Sequence, residues 1–158
     1  TLNFIGTLCL VRLGPICVLS EPLNNTVDFL ITLDVVKTCS LSTAASVDMG
    51  SYGLASQVPD AQLDIDVDCT LQEDFLLYAN PGNHFSDGWR HLQTLDGDRI
   101  AYQIYHPNGL DILTQLSGIS TLGLGVNQRF SPKVKIAPGQ NAARAGVYRD
   151  TVLVVLEY

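Results

Sequence analysis

Apolar and polar residues alternate with a period of two along most of this chain, and turn residues interrupt the pattern roughly every ten positions. In "TVDFLITLDVVKTC", Val27, Phe29, Ile31, Leu33 and Val35 alternate with Asp28, Leu30, Thr32 and Asp34. That spacing puts five apolar side chains on one face of an extended segment, which predicts a strand. "DAQLDIDVDC" repeats the pattern, with Leu63, Ile65, Val67 and Cys69 inward and Asp64, Asp66 and Asp68 outward. "DFLLYAN" reads as a strand that stops at the turn "PGN", and an Asp96–Gly97 turn precedes a strand over Arg99–Tyr105. "DILTQLSGISTLGLGVNQRF" predicts a loop and a short strand, and "KVKIAPGQ" a strand into a turn.

The segment "VYRDTVLVVLEY" predicts one long strand. Tyr148, Asp150, Val152, Val154, Leu156 and Tyr158 point to one side, and Val147, Arg149, Thr151, Leu153, Val155 and Glu157 to the other. Both sets are apolar in the middle, so burial on both faces is expected. Such a strand needs a neighbour on each side, and the pattern leaves open what supplies the second one. No run of ten or more residues keeps a helical period. Short strands between regular turns spell an all-β sandwich.

Residues 1–20, "TLNFIGTLCLVRLGPICVLS", are apolar without a clean alternation. They resemble a secretory apolar region, but no initiator Met precedes them, Arg12 interrupts the run and no A-x-A site follows. Arg12 and Pro15 also break it as a membrane span. Three readings stay open for residues 1–25: a signal-like remnant, a hairpin stapled by Cys9–Cys17, or an extra strand on the domain. The remainder, 26–158, forms one domain of a size that supports its own core.

Charge narrows the partners. Only 16% of the residues are charged, and the formal net charge is −7. That argues against nucleic acid, which needs clustered Lys and Arg, and Lys133 with Lys135 is too small a pair to change this. The four cysteines, Cys9, Cys17, Cys39 and Cys69, form no C-x-x-C and have no His at zinc spacing. An even number in such a β chain favours disulfides and an oxidising compartment. Three pairings are open, of which the segmentation favours Cys39–Cys69, with Cys9–Cys17 as a second pair.

Little catalytic chemistry is on offer. Asp64-x-Asp66-x-Asp68 imitates the start of a calcium loop, but Cys69 stands where the sharp turn needs Gly and Phe75 where a bidentate Glu is needed. It reads as the solvent face of a strand. "GLGVNQ" lacks the third glycine of a nucleotide loop. His84, His91 and His106 fall near turns without the context of a nucleophile. No catalytic residue, metal site, cofactor or small-molecule substrate is expected. In "HFSDGWRH", Phe85 and Trp89 suit a half-buried loop anchor better than an exposed sticky loop.

The ordered pieces "CSLS", "VDMGSYG", "LDIDVDCT", "FLLYANPG", "RIAYQIYHPNG", "KVKIAPGQ" and "AGVYRDTVLVVLEY" resemble the spore coat protein U family, which includes the pilin subunits of archaic, Csu-type chaperone–usher pili. The likeness runs from Thr26 to Tyr158. Met49 stands where the family usually has Phe, a tolerable exchange in a core, and residues 1–25 have no recognised counterpart.

The resemblance implies an incomplete immunoglobulin-like β-sandwich, completed by a donor strand from a neighbouring subunit. It assigns the donor role to Val27, Phe29, Ile31, Leu33 and Val35 of segment 26–36. The acceptor edge falls to Tyr148, Asp150, Val152, Val154, Leu156 and Tyr158, and the intradomain disulfide to Cys39–Cys69. The implied partners are neighbouring pilin subunits, a periplasmic chaperone and an outer-membrane usher. The implied route is secretion through the periplasm to a cell-surface pilus, for adhesion and biofilm formation. Two alternatives remain: an adhesin using exposed apolar loops such as "HFSDGW" or "SGISTLGLG", and a spore or cell-coat protein.

Overall fold

Alternating sequences become antiparallel ladders here, and helix is confined to one 3-10 turn, Ala55–Gln57, among the described residues. The structure, a computed structural model, describes residues 7–9, 12, 13, 16, 17, 20–22, 27–43, 46–140 and 143–158. The chain divides into two units, Thr1–Val35 and Val36–Tyr158. In the first, β1 (Thr7–Cys9) pairs antiparallel with β4 (Ser20–Pro22), and β2 (Arg12–Leu13) with β3 (Ile16–Cys17). Cys9 lies opposite Ser20 and Cys17 opposite Arg12. The side chains of these strands lie outside the described residues, and with them the Cys9–Cys17 bond.

The second unit is all-β. Its strands are β5 (Cys39–Thr43), β6 (Ala61–Gln62), β7 (Ile65–Cys69), β8 (Asp74–Ala79), β9 (Arg90–Gln93), β10 (Arg99–Tyr105), β11 (Ile119–Leu122), β12 (Gln128–Phe130), β13 (Lys133–Ile136) and β14 (Val154–Glu157). They form sheets in the orders β12-β7-β5, β11-β8-β14 and β6-β13-β10-β9. The two three-stranded sheets share a core of Ile65, Val67, Cys69, Phe75 and Leu77. A second cluster, Ala79, Tyr102, Ile104, Leu113 and Val134, joins the four-stranded sheet to the end of β8.

One proline, Pro132, marks the two breaks that separate the sheets. Pro132 is buried between β12 and β13 and has no N–H for a ladder, and its carbonyl accepts from Leu63 N between β6 and β7. Both strand pairs thus leave one sheet for another at the same level. The expected strand over 61–69 is therefore two strands with one inward face, on which Ile65, Val67 and Cys69 are buried. "GISTLGLGVNQRF" supplies two strands, β11 and β12, where one was expected.

The terminal segment departs furthest from expectation. Only Val154–Glu157 forms a strand, pairing with β8 from Val154↔Ala79 to Glu157↔Leu76. Earlier, Arg149 bridges to Gln93 at the end of β9. Between these points the segment passes the loop Asn80–Asn83, where Pro81 and the positive φ of Gly82 (81°) rule out a ladder. Single bonds replace it: Asn80 N donates to Leu153 O, Asn83 N to Thr151 O, and Leu153 N to Asn80 Oδ1. Nor is the segment buried on both faces. Tyr148, Asp150, Val152, Val154 and Leu156 are half-buried and Tyr158 exposed, whereas on the other face only Val155 is half-buried and Val147, Arg149, Thr151, Leu153 and Glu157 are exposed.

Candidate functional site

Among the described residues, strands β5 and β14 are each paired on one side only: β5 with β7, and β14 with β8. They approach within 8 Å between Cα atoms, yet no ladder joins them. Cys39 and Leu41 of β5 and Val154 and Leu156 of β14 pack on the shared core while staying only partly covered. The alternation makes this local geometry. Cys-x-Leu on one wall and Val-x-Leu on the other turn their apolar residues inward, and Ser40, Ser42 and Glu157 face out. The outcome is a groove with apolar walls and two unfilled backbone edges. Tyr78 braces the β14 wall, donating to Glu157 Oε1 at 2.6 Å, and this bond raises the Tyr78 pKa above its ordinary value.

Residues 27–38 form no ladder, and the alternating apolar side chains are open to solvent: Val27 84%, Phe29 79%, Ile31 79%, Leu33 84% and Val35 77% exposed. The strand expected over this segment does not form in the isolated chain, and Leu30 (91%) and Val36 (72%) are as exposed as the odd-numbered residues. At the root of this segment the chain becomes fixed. Thr38 N donates to Thr70 Oγ1 (3.0 Å), Thr70 N to Thr38 O (2.9 Å), and Thr70 Oγ1 reaches Val36 O (3.3 Å). Lys37 Nζ lies 2.7 Å from Glu73 Oε2, and that hydrogen-bonded partner raises the Lys37 pKa. Next in the chain, Cys39 is disulfide-bonded to Cys69, directly opposite it in the β5–β7 ladder, with Cα atoms 4.1 Å apart.

A polar clasp holds the start of the terminal segment. Asp150, its side chain 1% exposed, accepts from Tyr102 Oη (2.6 Å) and Asn83 N (3.1 Å), and pairs with His84 Nδ1 (3.0 Å). Burial, and then the bond to Asp150, push the Tyr102 pKa far up. Gly82 has to be glycine for this approach, since a Cβ there would meet Asp150 Oδ2 at 2.5 Å. Nearby Arg90 is 2% exposed and bonds the carbonyls of Ala79, Asn80 and Leu113 and Gln103 Oε1. Burial lowers its pKa, an effect partly offset by the nearby Tyr102 and Asp150. Among the described residues, no buried side-chain nitrogen or oxygen lacks a partner.

Sequence reasoning placed Asp150 on the acceptor edge as one of six equivalent positions. In the structure its carboxylate bonds Tyr102 and His84, which anchors the segment there. Tyr158 is exposed, and Tyr148 bonds Arg144 O, so Val154 and Leu156 are the two acceptor positions packed on the shared core beside β5. Arg90, Thr70 and Glu73 were not anticipated. A lone Arg in "GWRH" and a Thr-x-x-Glu turn carry no periodic signal.

The other motifs take structural parts. Asp66 is paired with Arg129 at 2.8 Å, which lowers its pKa, and Asp64 accepts from Ser131. Gly123 is needed for close approach, as a Cβ would collide with the Thr70 carbonyl and lie 2.7 Å from Cys69 Cβ. Ser86 and Trp89 pair across a turn in which Asp87 and Gly88 both have positive φ (54° and 79°), leaving Trp89 half-buried and Phe85 49% exposed.

Fold and groove together define an antiparallel β-sandwich domain with an unfilled pair of strand edges. The chain belongs to the Spore Coat Protein U domain family, whose model matches residues 25–155 and so takes in the exposed apolar segment. Among solved structures, it resembles a chain in the crystal structure of the CsuC–CsuE chaperone–tip adhesion subunit pre-assembly complex from the archaic chaperone–usher Csu pili of Acinetobacter baumannii. The TM-score is 0.62 at 22% identity, over 78% of this chain and 40% of that one. That likeness is one of fold. No curated protein matches the sequence.

Proposed function

We propose that this chain is a structural subunit of a surface filament built by the chaperone–usher route, and that it polymerises by donor-strand exchange. Residues 26–36 act as the donor within a 26–158 domain, and β5 with β14 is the acceptor groove of the next copy. The observation that carries the reading is the exposure of Val27, Phe29, Ile31, Leu33 and Val35, 77–84% each, in a chain with unpaired, apolar-walled strand edges. Burying five such side chains favours insertion by very roughly 10 kcal/mol before the cost of ordering the segment is subtracted. A second copy is the fitting occupant because groove and segment occur on every chain and match in chemistry. Head-to-tail association of that kind is open-ended and gives a fibre.

An unpaired apolar edge invites aggregation, so a chaperone cover before assembly and an usher for export follow from the same reading. So do periplasmic transit, a cell-surface location, a role in adhesion and biofilm, and the absence of enzymatic activity. Where donor and both walls pair, the walls stand about 9.5 Å apart. The narrow stretch between β5 and β14 therefore has to open on insertion.

A second reading, an adhesin domain, draws on the exposure of Leu95 (107%), Leu116 (101%) and Leu110 (77%) in loops. Ile31→Asp separates the two. A charge at the centre of the donor should abolish polymerisation while leaving a folded subunit. Normal filaments from that variant would refute donor-strand assembly and leave the adhesin reading standing.

A further inference from the structure

The root of the apolar segment is held in a way that bears on which groove the segment can reach. We infer that Thr70 and Glu73 act as specificity-determining residues that deny the segment its own groove and leave it only another copy's. The inference rests on the donor reading above.

Cys39 begins β5, so a segment that folded back beside β5 of its own chain would have to reverse direction within Val36–Thr38. A three-residue loop suffices for such a hairpin. These three residues are already committed. Thr38 O accepts from Thr70 N and Thr38 N donates to the side-chain Oγ1 of Thr70, which fixes the residue just before the Cys39↔Cys69 end of the β5–β7 ladder. The Thr70 hydroxyl has the carbonyls of Val36 and Thr38 within reach (3.3 and 3.2 Å), and Lys37 is tied to Glu73, so a reversal within Val36–Thr38 would have to break these bonds.

The post to which they are tied is itself rigid. Thr70–Glu73 is a turn closed by Glu73 N to Thr70 O (3.1 Å), with Gln72 at φ 63°. Gln72 N donates to Gly123 O and Gly123 N to Glu73 O, both at 2.8 Å. Gly123 admits no side chain against Thr70, and the Cys39–Cys69 bond lies alongside.

The test uses the full chain, released from its chaperone, and a fluorescent synthetic peptide of residues 26–36 as the probe. The parent chain should take up the peptide and otherwise form concentration-dependent oligomers. The Thr70→Val, Glu73→Gln double variant should shift toward monomer and take up at least tenfold less peptide, because its own segment fills the groove. A double variant that oligomerises and binds peptide as the parent does overturns the inference while leaving donor exchange intact. A parent that takes up no peptide overturns donor exchange and this inference with it. Should the double variant fail to fold by circular dichroism, inserting Gly-Gly between Val36 and Lys37, with Thr70 and Glu73 kept, is judged by the same two outcomes.

Discussion

Tyr102 donates its hydroxyl hydrogen to Asp150 at 2.6 Å, joining the centre of β10 to the terminal segment just before it crosses to β8. Asp150 is almost wholly withdrawn from water, so its charge depends on Tyr102, Asn83 and His84 for solvation. The clasp sets where the segment leaves Gln93 and hence the register in which Val154 meets Ala79.

Tyr102→Phe should therefore destabilise the domain by about 1.5–3 kcal/mol, the range for a lost bond to a charged group. Asp150→Asn should cost less than Asp150→Ala, because the amide oxygen still accepts from Asn83 N. Urea unfolding of the three variants measures this. Equal midpoints for Tyr102→Phe and the parent would remove Asp150 from its anchoring role.

Replacing Cys39 and Cys69 by serine opens a loop of sequence separation 30. In the chain-entropy model the loss is roughly 3–4 kcal/mol, a fall in melting temperature of about 10 °C for a domain of this size. Calorimetry of the double variant against the parent gives the answer, and a change under 2 °C would contradict the estimate.

Stability should decline at both ends of the pH scale, for different reasons. Unfolded tyrosines ionise near pH 10, whereas Tyr78, bonded to Glu157, and Tyr102, buried and bonded to Asp150, hold their protons longer in the folded chain. Above about pH 10 the unfolded chain thus binds fewer protons, and stability falls as pH rises through the folded values. Asp66 behaves in the opposite sense. Arg129 lowers its pKa, so its contribution is present above about pH 4 and is lost as pH falls through the folded value. Denaturant midpoints between pH 8 and 11.5 should drop for the parent and drop less for Tyr78→Phe.

Joining a copy of residues 26–36 after Tyr158 through a short flexible turn supplies the groove from within, at high effective concentration. The product should be monomeric and melt clearly higher than the parent. Because residues 1–20 carry apolar residues of their own, the comparison is made with and without them. A chain lacking both 1–20 and the added strand that is nevertheless stable and monomeric would mean that no strand is wanted.

Legibility in the sequence followed alternation closely. β7, β8, β10 and β13 lie where apolar residues recur at every second position or a turn dipeptide announces a strand. The order of the segments favoured Cys39–Cys69 among three open pairings, the family resemblance assigned it, and the bond is present. What escaped was decided between segments. β9 begins with an inward Arg90, which looks like a surface residue until the carbonyls of Ala79, Asn80 and Leu113 are seen around it. The terminal twelve residues read as one strand because alternation survives the change of sheet, while Pro81 and Gly82, far off in sequence, end the ladder. At 27–35 the alternation announced a strand that the isolated chain does not form, because a strand needs a paired backbone that the pattern does not supply.

The bond between Cys39 and Cys69 has a mechanical consequence for a filament of the proposed kind. A pull on one subunit reaches its neighbour through residues 26–36 and enters the domain at Cys39, at the tip of β5. Without the crosslink, force applied there would peel β5 from β7 one hydrogen bond at a time, starting at Thr38 and Thr70. With it, the tension passes covalently into β7, whose Ile65 and Val67 are fully enclosed by the core. The thread should then give way where donor meets groove, by sliding of a whole strand, before any single subunit comes undone.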